Sequence, residues 1–295
     1  MIRPRDTAAS FPIRSAFGAR PLHLTMSSAP IGVFDSGIGG MTVARALTQR
    51  LPHERLVYFG DTAHLPYGDK SAAAIQAYSV KICDVLLQHG CKVILIACNS
   101  ASAAAFDLVK AYIGSKAHAL NVIDPTVQLV RETYAGRHVG LIGTKQTVGS
   151  GVYDRRLDGA NVDLVSLATP LLAPMIEDGF VDDAVSNQVI KAYLDDPSLE
   201  RIEALVLACT HYPLIAPQMR AHYAAQARAV DVLDSSDVVA RHVEAFLTLQ
   251  GLAATASTAA PEHRFFVSDY TDGFEATTRL FFGQHVDLVP HVLWE

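Results

Sequence analysis

The sequence predicts an α/β fold: two pseudo-symmetric βα domains with mainly parallel sheets and an active-site cleft between them. Three observations carry this. Apolar, β-branched runs alternate with helix-length segments from residue 31 onward. Strand-end sequences also recur in the same order. Ile31–Ser36 returns as Val139–Thr144, shifted by 108, Asp61-Thr62 as Ala168-Thr169, and Val122–Pro125 as Val232–Ser235, shifted by 110. Finally, Cys98 in ILIACNSASA is matched by Cys209 in LVLACTHYP, shifted by 111. Each cysteine ends an apolar run and opens onto small polar residues, the signature of a strand end feeding a helix, where open α/β sheets place their ligand-handling groups. Loop insertions account for a drift of a few residues, so the halves read as copies of one unit.

The elements follow in order. Residues 1–30 hold four arginines, one acidic residue and no hydrophobic core of a secretory signal. They read as a disordered N-terminal extension, with Met26 just ahead of the first strand as an alternative start. The first half, 31–125, is expected to hold strands at 31–34, 55–59, 92–97 and 120–123, with helices at about 40–50, 71–89 and 100–113. The second half, 126–235, is expected to hold strands near 138–142, 162–166, 203–208 and 230–233, with a helix at about 182–194. Residues 236–295 supply a helix at about 236–249, then a strand and a helix within 264–283, packing back on the domains. Continuous Val/Ile/Leu runs imply parallel sheets covered on both faces.

Composition narrows the function. Half of the 295 residues are apolar, enough for sizeable cores. A formal net charge of −6 without a Lys/Arg cluster argues against nucleic acid as a partner, because phosphate neutralisation needs concentrated positive charge. The longest uncharged apolar stretch, Val93 to Phe106, is too short for a membrane span and contains Asn99, Ser100 and Ser102. The four cysteines lack CxxC spacing and disulfide density, which fits a reducing compartment, the cytoplasm.

The cleft can be populated from the motifs. Asp35-Ser36-Gly37-Ile38-Gly39-Gly40 follows the first strand, but its glycine spacing is not that of a dinucleotide loop, and Asp35 would oppose a phosphate. Gly60 to Gly68 forms a long polar turn that presents Tyr67. A free cysteine is usually an inert small hydrophobe, which suits Cys83 and Cys91. Cys98 and Cys209 differ, since a helix N-terminus beside each favours the thiolate. One sulfur then acts as base and its protonated twin as acid. A zinc site from Cys98, Cys209 and His211 is the competing use, but no further ligand completes a recognisable spacing. Redox pairing would need the sulfurs at bonding distance.

Five motifs stand in one order: GVFDSGIGG at Gly32–Gly40, GDTAHLPYG at Gly60–Gly68, ACNSASA at Ala97–Ala103, PLLAPMIEDG at Pro170–Gly179 and LACTHYP at Leu207–Pro213. With these the chain, from about Ile31 to Gly283, resembles the glutamate racemases of the cofactor-independent aspartate/glutamate racemase family. The resemblance implies catalytic cysteines at Cys98 and Cys209, assisted by Asp35, Glu177 and His211. It implies substrate contacts at Asp35, Ser36, Tyr67, Gly68, Asn99, Ser100, Thr210 and His211. It further implies two-base proton transfer between L- and D-glutamate with no cofactor and no metal, supplying D-glutamate for peptidoglycan. The expected partner is that small molecule, not nucleic acid or a membrane, and a homodimer is compatible with the sequence.

No implied contact pair contains Arg or Lys, so the anionic substrate should be held by hydroxyls, the Asn99 amide and helix N-termini. Asp35 would orient or activate Cys98, and His211 with Glu177 would serve Cys209. On the residues alone, His211 is more often a packed or capping histidine than a catalyst, and Glu177 could simply be a surface helix residue. Two positions depart from the family pattern: Ser100 replaces a usual threonine and keeps the hydroxyl, while Ala168 replaces a frequent cysteine. Two other readings stay open at this point: a relative acting on aspartate or a hydantoin, and a silent amino-acid-binding protein, which would need neither sulfur.

Overall fold

In the computed structural model, which describes residues 27–256, 260–271 and 273–294, the apolar runs form two sheets whose strand pairings are all parallel. The first sheet contains β1 (Ile31–Asp35), β2 (Leu56–Gly60), β3 (Val93–Ile96) and β4 (His118–Asn121). The second contains β5 (His138–Gly143), β6 (Asp163–Ala168), β7 (Ala204–Ala208) and β8 (Asp231–Leu233). Their orders are β2-β1-β3-β4 and β6-β5-β7-β8, the same path twice. The repeat read from the strand ends is therefore a repeat of topology.

Helices alternate with the strands as right-handed parallel crossovers require. In the first half they are α1 (Met41–Arg50), α2 (Ala72–Gln88) and α3 (Asn99–Ile113). Next, α4 (Ile123–Thr133) leads to the second half, which holds α5 (Lys145–Gly149), α6 (Val152–Leu157), α7 (Leu172–Glu177), α8 (Ala184–Leu194) and α9 (Ala216–Ala225). After β8, α10 (Ser235–Leu249) packs against α1 and α4. The chain then returns to the first sheet: β9 (Arg264–Val267) pairs with β2, α11 (Gly273–Phe282) packs on α1, and β10 (Leu288–Pro290) pairs with β9. Sequence analysis anticipated β9 and α11 but not β10, a three-residue edge strand ending in proline.

Two boundaries differ from expectation for local reasons. The strand expected at 120–123 ends at Asn121, because the Asn121 side-chain oxygen accepts the backbone N–H of Ile123 and Asp124 and so starts α4. Residues 27–30, counted above with the N-terminal extension, are tied to the body. Lys92 Nζ donates to the Ser27 carbonyl at 2.7 Å, Arg55 donates to that of Ser28, and the Lys92 amide donates to that of Pro30. The rest of the extension, with the alternative start at Met26, lies outside the described residues.

One apolar core runs from β1 and α1 through α10 into β5 and β7, and so joins the two halves. A second fills the opposite face of the first sheet beneath α2 and α3. With every strand parallel within each sheet, the C-terminal ends of β1, β3 and β7 carry Asp35, the last residue of β1, and Cys98 and Cys209, just beyond β3 and β7.

Candidate active site

Cys98 is the N-cap of α3. Its backbone is extended, and its sulfur accepts the Ala101 N–H at 3.4 Å, as a capping side chain does. The thiol faces Ser36 Oγ at 3.7 Å. Sequence reasoning expected the helix N-terminus to favour a thiolate here. The structure reverses that: burial and the nearby Asp35 carboxylate raise the Cys98 pKa to about 12, and the cap and Ser36 only partly oppose them. In this arrangement Cys98 is a thiol. Cys83 and Cys91 are also buried and raised to about 12, but they lie away from the site.

Cys209 follows β7 and is equally buried. Its sulfur lies 3.6 Å from His211 Nδ1, while His211 Nε2 lies 2.8 Å from Glu177 Oε1 at the end of α7. Burial alone would lower the His211 pKa, but the Cys209 sulfur and the Glu177 carboxylate outweigh it and hold it well above the usual histidine value. The ring is fixed from the side by Phe281 of α11, edge to face at 5.2 Å. His211 thus stands between the Glu177 carboxylate and the Cys209 sulfur, within reach of both.

The loop after β1 is shaped by what passes over it. A Cβ on Gly39 would lie 2.3 Å from His211 Cε1 and 2.7 Å from Thr210 Oγ1, so the absence of a side chain is what lets the second half dock there. Asp35 is fully buried. Its Oδ2 accepts the Gly37 N–H at 3.0 Å, and its Oδ1 faces Thr210 Oγ1 at 3.5 Å. Burial raises its pKa, with His211 and the Gly40 and Gly37 amides pulling the other way. The hydrogen-bond partner of Cys98 is therefore Ser36, and Asp35 acts on that sulfur through its charge. Thr42 Oγ1 donates to the Thr210 carbonyl at 3.0 Å, a further tie across the halves.

Tyr67 opens a 3₁₀ turn, Tyr67–Asp69, but its hydroxyl donates to Asp61 Oδ2. Asp61 Oδ1 in turn binds Ser268 Oγ and His64 Nδ1. The tyrosine hydroxyl therefore anchors its loop beside the site. Asn99 and Ser100 begin α3 inside the cavity, and Ser100 Oγ lies 2.8 Å from Thr144 Oγ1.

A single cavity of about 30 Å³ is lined by Ser36, Tyr67, Gly68, Cys98, Asn99 and Ser100 from the first half, and by Glu177, Cys209, Thr210 and His211 from the second. Of the residues singled out in the sequence, Asp35 alone does not line it, lying directly behind. Broader clefts of about 450 and 640 Å³ elsewhere gather none of them. Thr144 also lines the cavity and was missed, although the repeat had already paired it with Ser36. Neither Arg nor Lys is among the lining residues. Among the described residues no group of three His, Cys, Asp or Glu side chains is placed to hold a metal ion, and the four cysteines are free.

Known proteins resemble this chain in sequence and fold. The model of the family described as Asp/Glu/Hydantoin racemase matches residues 41–243. A glutamate racemase of Neisseria meningitidis serogroup C is 37% identical over 265 residues, 89% of this chain and 96% of that protein. The crystal structure of glutamate racemase from Francisella tularensis in complex with D-glutamate superposes with a TM-score of 0.83 at 34% identity, covering 90% of this chain and 98% of that one. That of Thermus thermophilus, in complex with β-chloro-D-alanine, gives 0.79 at 36% identity over 90% and 98%.

Proposed function

Because the chain belongs to the Asp/Glu/Hydantoin racemase family, we propose that it interconverts L- and D-glutamate by proton transfer between Cys98 and Cys209, without an organic cofactor. The observation that carries this is the placement of two sulfurs, from matching strand ends of opposite halves, on one cavity. A substrate α-carbon between them meets a proton acceptor on one face and a donor on the other.

In the resting arrangement Cys98 is the donor, since burial and Asp35 hold its proton. Cys209 is the acceptor, with the protonated His211 ring directed at its sulfur and Glu177 directed at the ring. Transfer from the opposite enantiomer exchanges the roles. The α-proton is weakly acidic because a carbanion forms beside a carboxylate. The donors available to stabilise that charge are the Ser36, Ser100, Thr144 and Thr210 hydroxyls, the Asn99 amide and the first turn of α3. They are neutral and fixed, so they are in place before charge develops.

A cavity of about 30 Å³ has room for about two waters and not for glutamate. Binding therefore requires the residues lining the cavity to move apart. No helix among the described residues is long and apolar enough to cross a membrane. We assign the enzyme to the cytoplasm, with D-glutamate for cell-wall peptidoglycan as its product.

The test uses metal-free, pyridoxal-free protein in deuterium oxide with L-glutamate or D-glutamate, and with L-aspartate in parallel. Optical rotation and α-proton exchange are followed together. Both glutamate enantiomers are expected to converge on zero rotation with deuterium at Cα, and aspartate to turn over far more slowly. Static rotation of glutamate, or activity that requires added zinc, overturns the proposal.

A further inference from the structure

Tyr153 lies in α6 of the second half, 2% exposed, and its hydroxyl donates to Asn99 Oδ1 in the first half at 2.8 Å. No motif contains it, and it does not line the cavity. Its other polar neighbour is Thr126 of α4, whose own hydroxyl donates to the Val122 carbonyl at 2.8 Å. Helices α3, α4 and α6 thus meet at the Tyr153 hydroxyl.

An asparagine amide has an acceptor end and a donor end, and which end faces the cavity is set by what holds the other. A buried phenol needs an acceptor for its proton, and Asn99 Oδ1 supplies it. The Asn99 amide must then present its two N–H groups to the opposite side. In a cavity lined by neither Arg nor Lys, this choice decides whether Asn99 attracts or repels a carboxylate. We propose that Tyr153 is a positioning residue: by holding Asn99 Oδ1 it turns the Asn99 N–H groups toward the anionic substrate, and it does so across the boundary between the halves. The bond therefore ties the orientation of the Asn99 donors to the packing of the two halves. This rests on the racemase reading of the cavity.

The test is Tyr153→Phe, which keeps the ring and removes the hydroxyl. KM for both enantiomers is expected to rise about tenfold, with kcat changed less than about threefold, because Asn99 holds the carboxylate in the ground state and as charge develops, and both contacts are weakened. In an Asn99→Ala background the same substitution is expected to add nothing. An unchanged KM in Y153F, or an equal effect with and without Asn99, overturns the inference. If Y153F does not fold, Asn99→Asp is compared with Asn99→Ala. The phenol would hold one carboxylate oxygen and leave the other facing the substrate, so KM should be higher for N99D, and equal values overturn the inference. Wild-type protein that leaves glutamate unracemised overturns the racemase reading itself. Racemisation with an unmoved Y153F KM removes only the role of Tyr153.

Discussion

His211 Nε2 lies 2.8 Å from Glu177 Oε1, which commits that nitrogen as a donor and leaves Nδ1 facing the Cys209 sulfur at 3.6 Å. Cys98 has no such ring beside it; Ser36 at 3.7 Å is its side-chain partner. The two sulfurs of a near-symmetric fold are therefore served by different chemistry. Glu177→Gln keeps the shape and removes the charge, so the His211 pKa, now held high, should fall toward neutral. We expect kcat/KM to drop roughly ten- to hundredfold. The alkaline limb of the pH profile should move to lower pH, because the ring loses its proton earlier. The drop must be equal from L- and D-glutamate, since enantiomers have equal free energy in water. Polarimetric progress curves from both sides check this, and an unshifted alkaline limb contradicts the relay.

Removing either sulfur should separate exchange from inversion. Cys98→Ala and Cys209→Ala are each expected to lower racemisation by about 10² to 10⁴. Each variant keeps one base, so each should still exchange the α-proton of a single enantiomer with deuterium oxide, and the two variants should select opposite enantiomers. Proton NMR of the amino acid reads this directly. Undiminished racemisation in either variant rules out the two-base assignment.

The raised Cys98 pKa of about 12 has its own signature. Only the thiolate alkylates, so labelling of Cys98 by iodoacetamide should accelerate about tenfold per pH unit between pH 7 and 10. Asp35→Asn removes a charge that raises this pKa and should speed labelling at pH 8. Mass spectrometry of the Cys98 peptide gives the rate, while Cys83 and Cys91, both buried, report any unfolding. A rate independent of pH would show that Cys98 rests as a thiolate.

Much of this was readable from the sequence because parallel strands end at one edge, so matched strand ends such as Ile31–Ser36 and Val139–Thr144 mark both topology and site. The cysteines, Asn99, Ser100, Thr210 and His211 sit at those ends and were found. What escaped depends on contacts made at a distance. The Tyr67 hydroxyl is claimed by Asp61, which itself is held by Ser268 from the far end of the chain. The sign of the Cys98 shift depends on burial and on Asp35, which together outweigh the local helix terminus. Thr144 was paired with Ser36 by the repeat, yet it opens onto Lys145-Gln146 and not onto a cysteine with small polar residues, the pattern that marked the other strand ends.

Docking of the halves at Gly39 can be tested with one methyl group. Gly39→Ala would place a Cβ 2.3 Å from His211 Cε1, and the ring cannot retreat because Phe281 lies on its side and Glu177 holds its far nitrogen. We expect kcat/KM to fall about a hundredfold, through displacement of a catalytic pair by a fraction of an ångström. Melting temperature should change little, since α1 and β1 keep their own packing. Near wild-type activity in G39A would mean that the halves do not close this tightly during turnover.

Stability, by contrast, should be most sensitive away from the cleft, at the N-terminal end of β3. Lys92 is fully buried there, and its ammonium donates to Glu54 Oε2 at 2.6 Å and to the Ser27 and Leu252 carbonyls at 2.7 Å. Glu54 Oε1 accepts the Ala254 N–H, so one ion pair ties the chain before β1 and the segment after α10 to the first sheet. Lys92→Met leaves the Glu54 carboxylate buried without its counter-charge. Breaking a buried pair by removing one partner typically costs about 3–5 kcal/mol, whereas replacing both with apolar residues is often neutral. Urea unfolding should therefore show K92M destabilised by about 3 kcal/mol and the K92M/E54M double variant largely restored. Both variants should keep wild-type kcat, because neither residue approaches the cavity. Equal destabilisation of the single and double variants would mean that the pair holds the two segments by its hydrogen bonds to backbone and not by its charge balance.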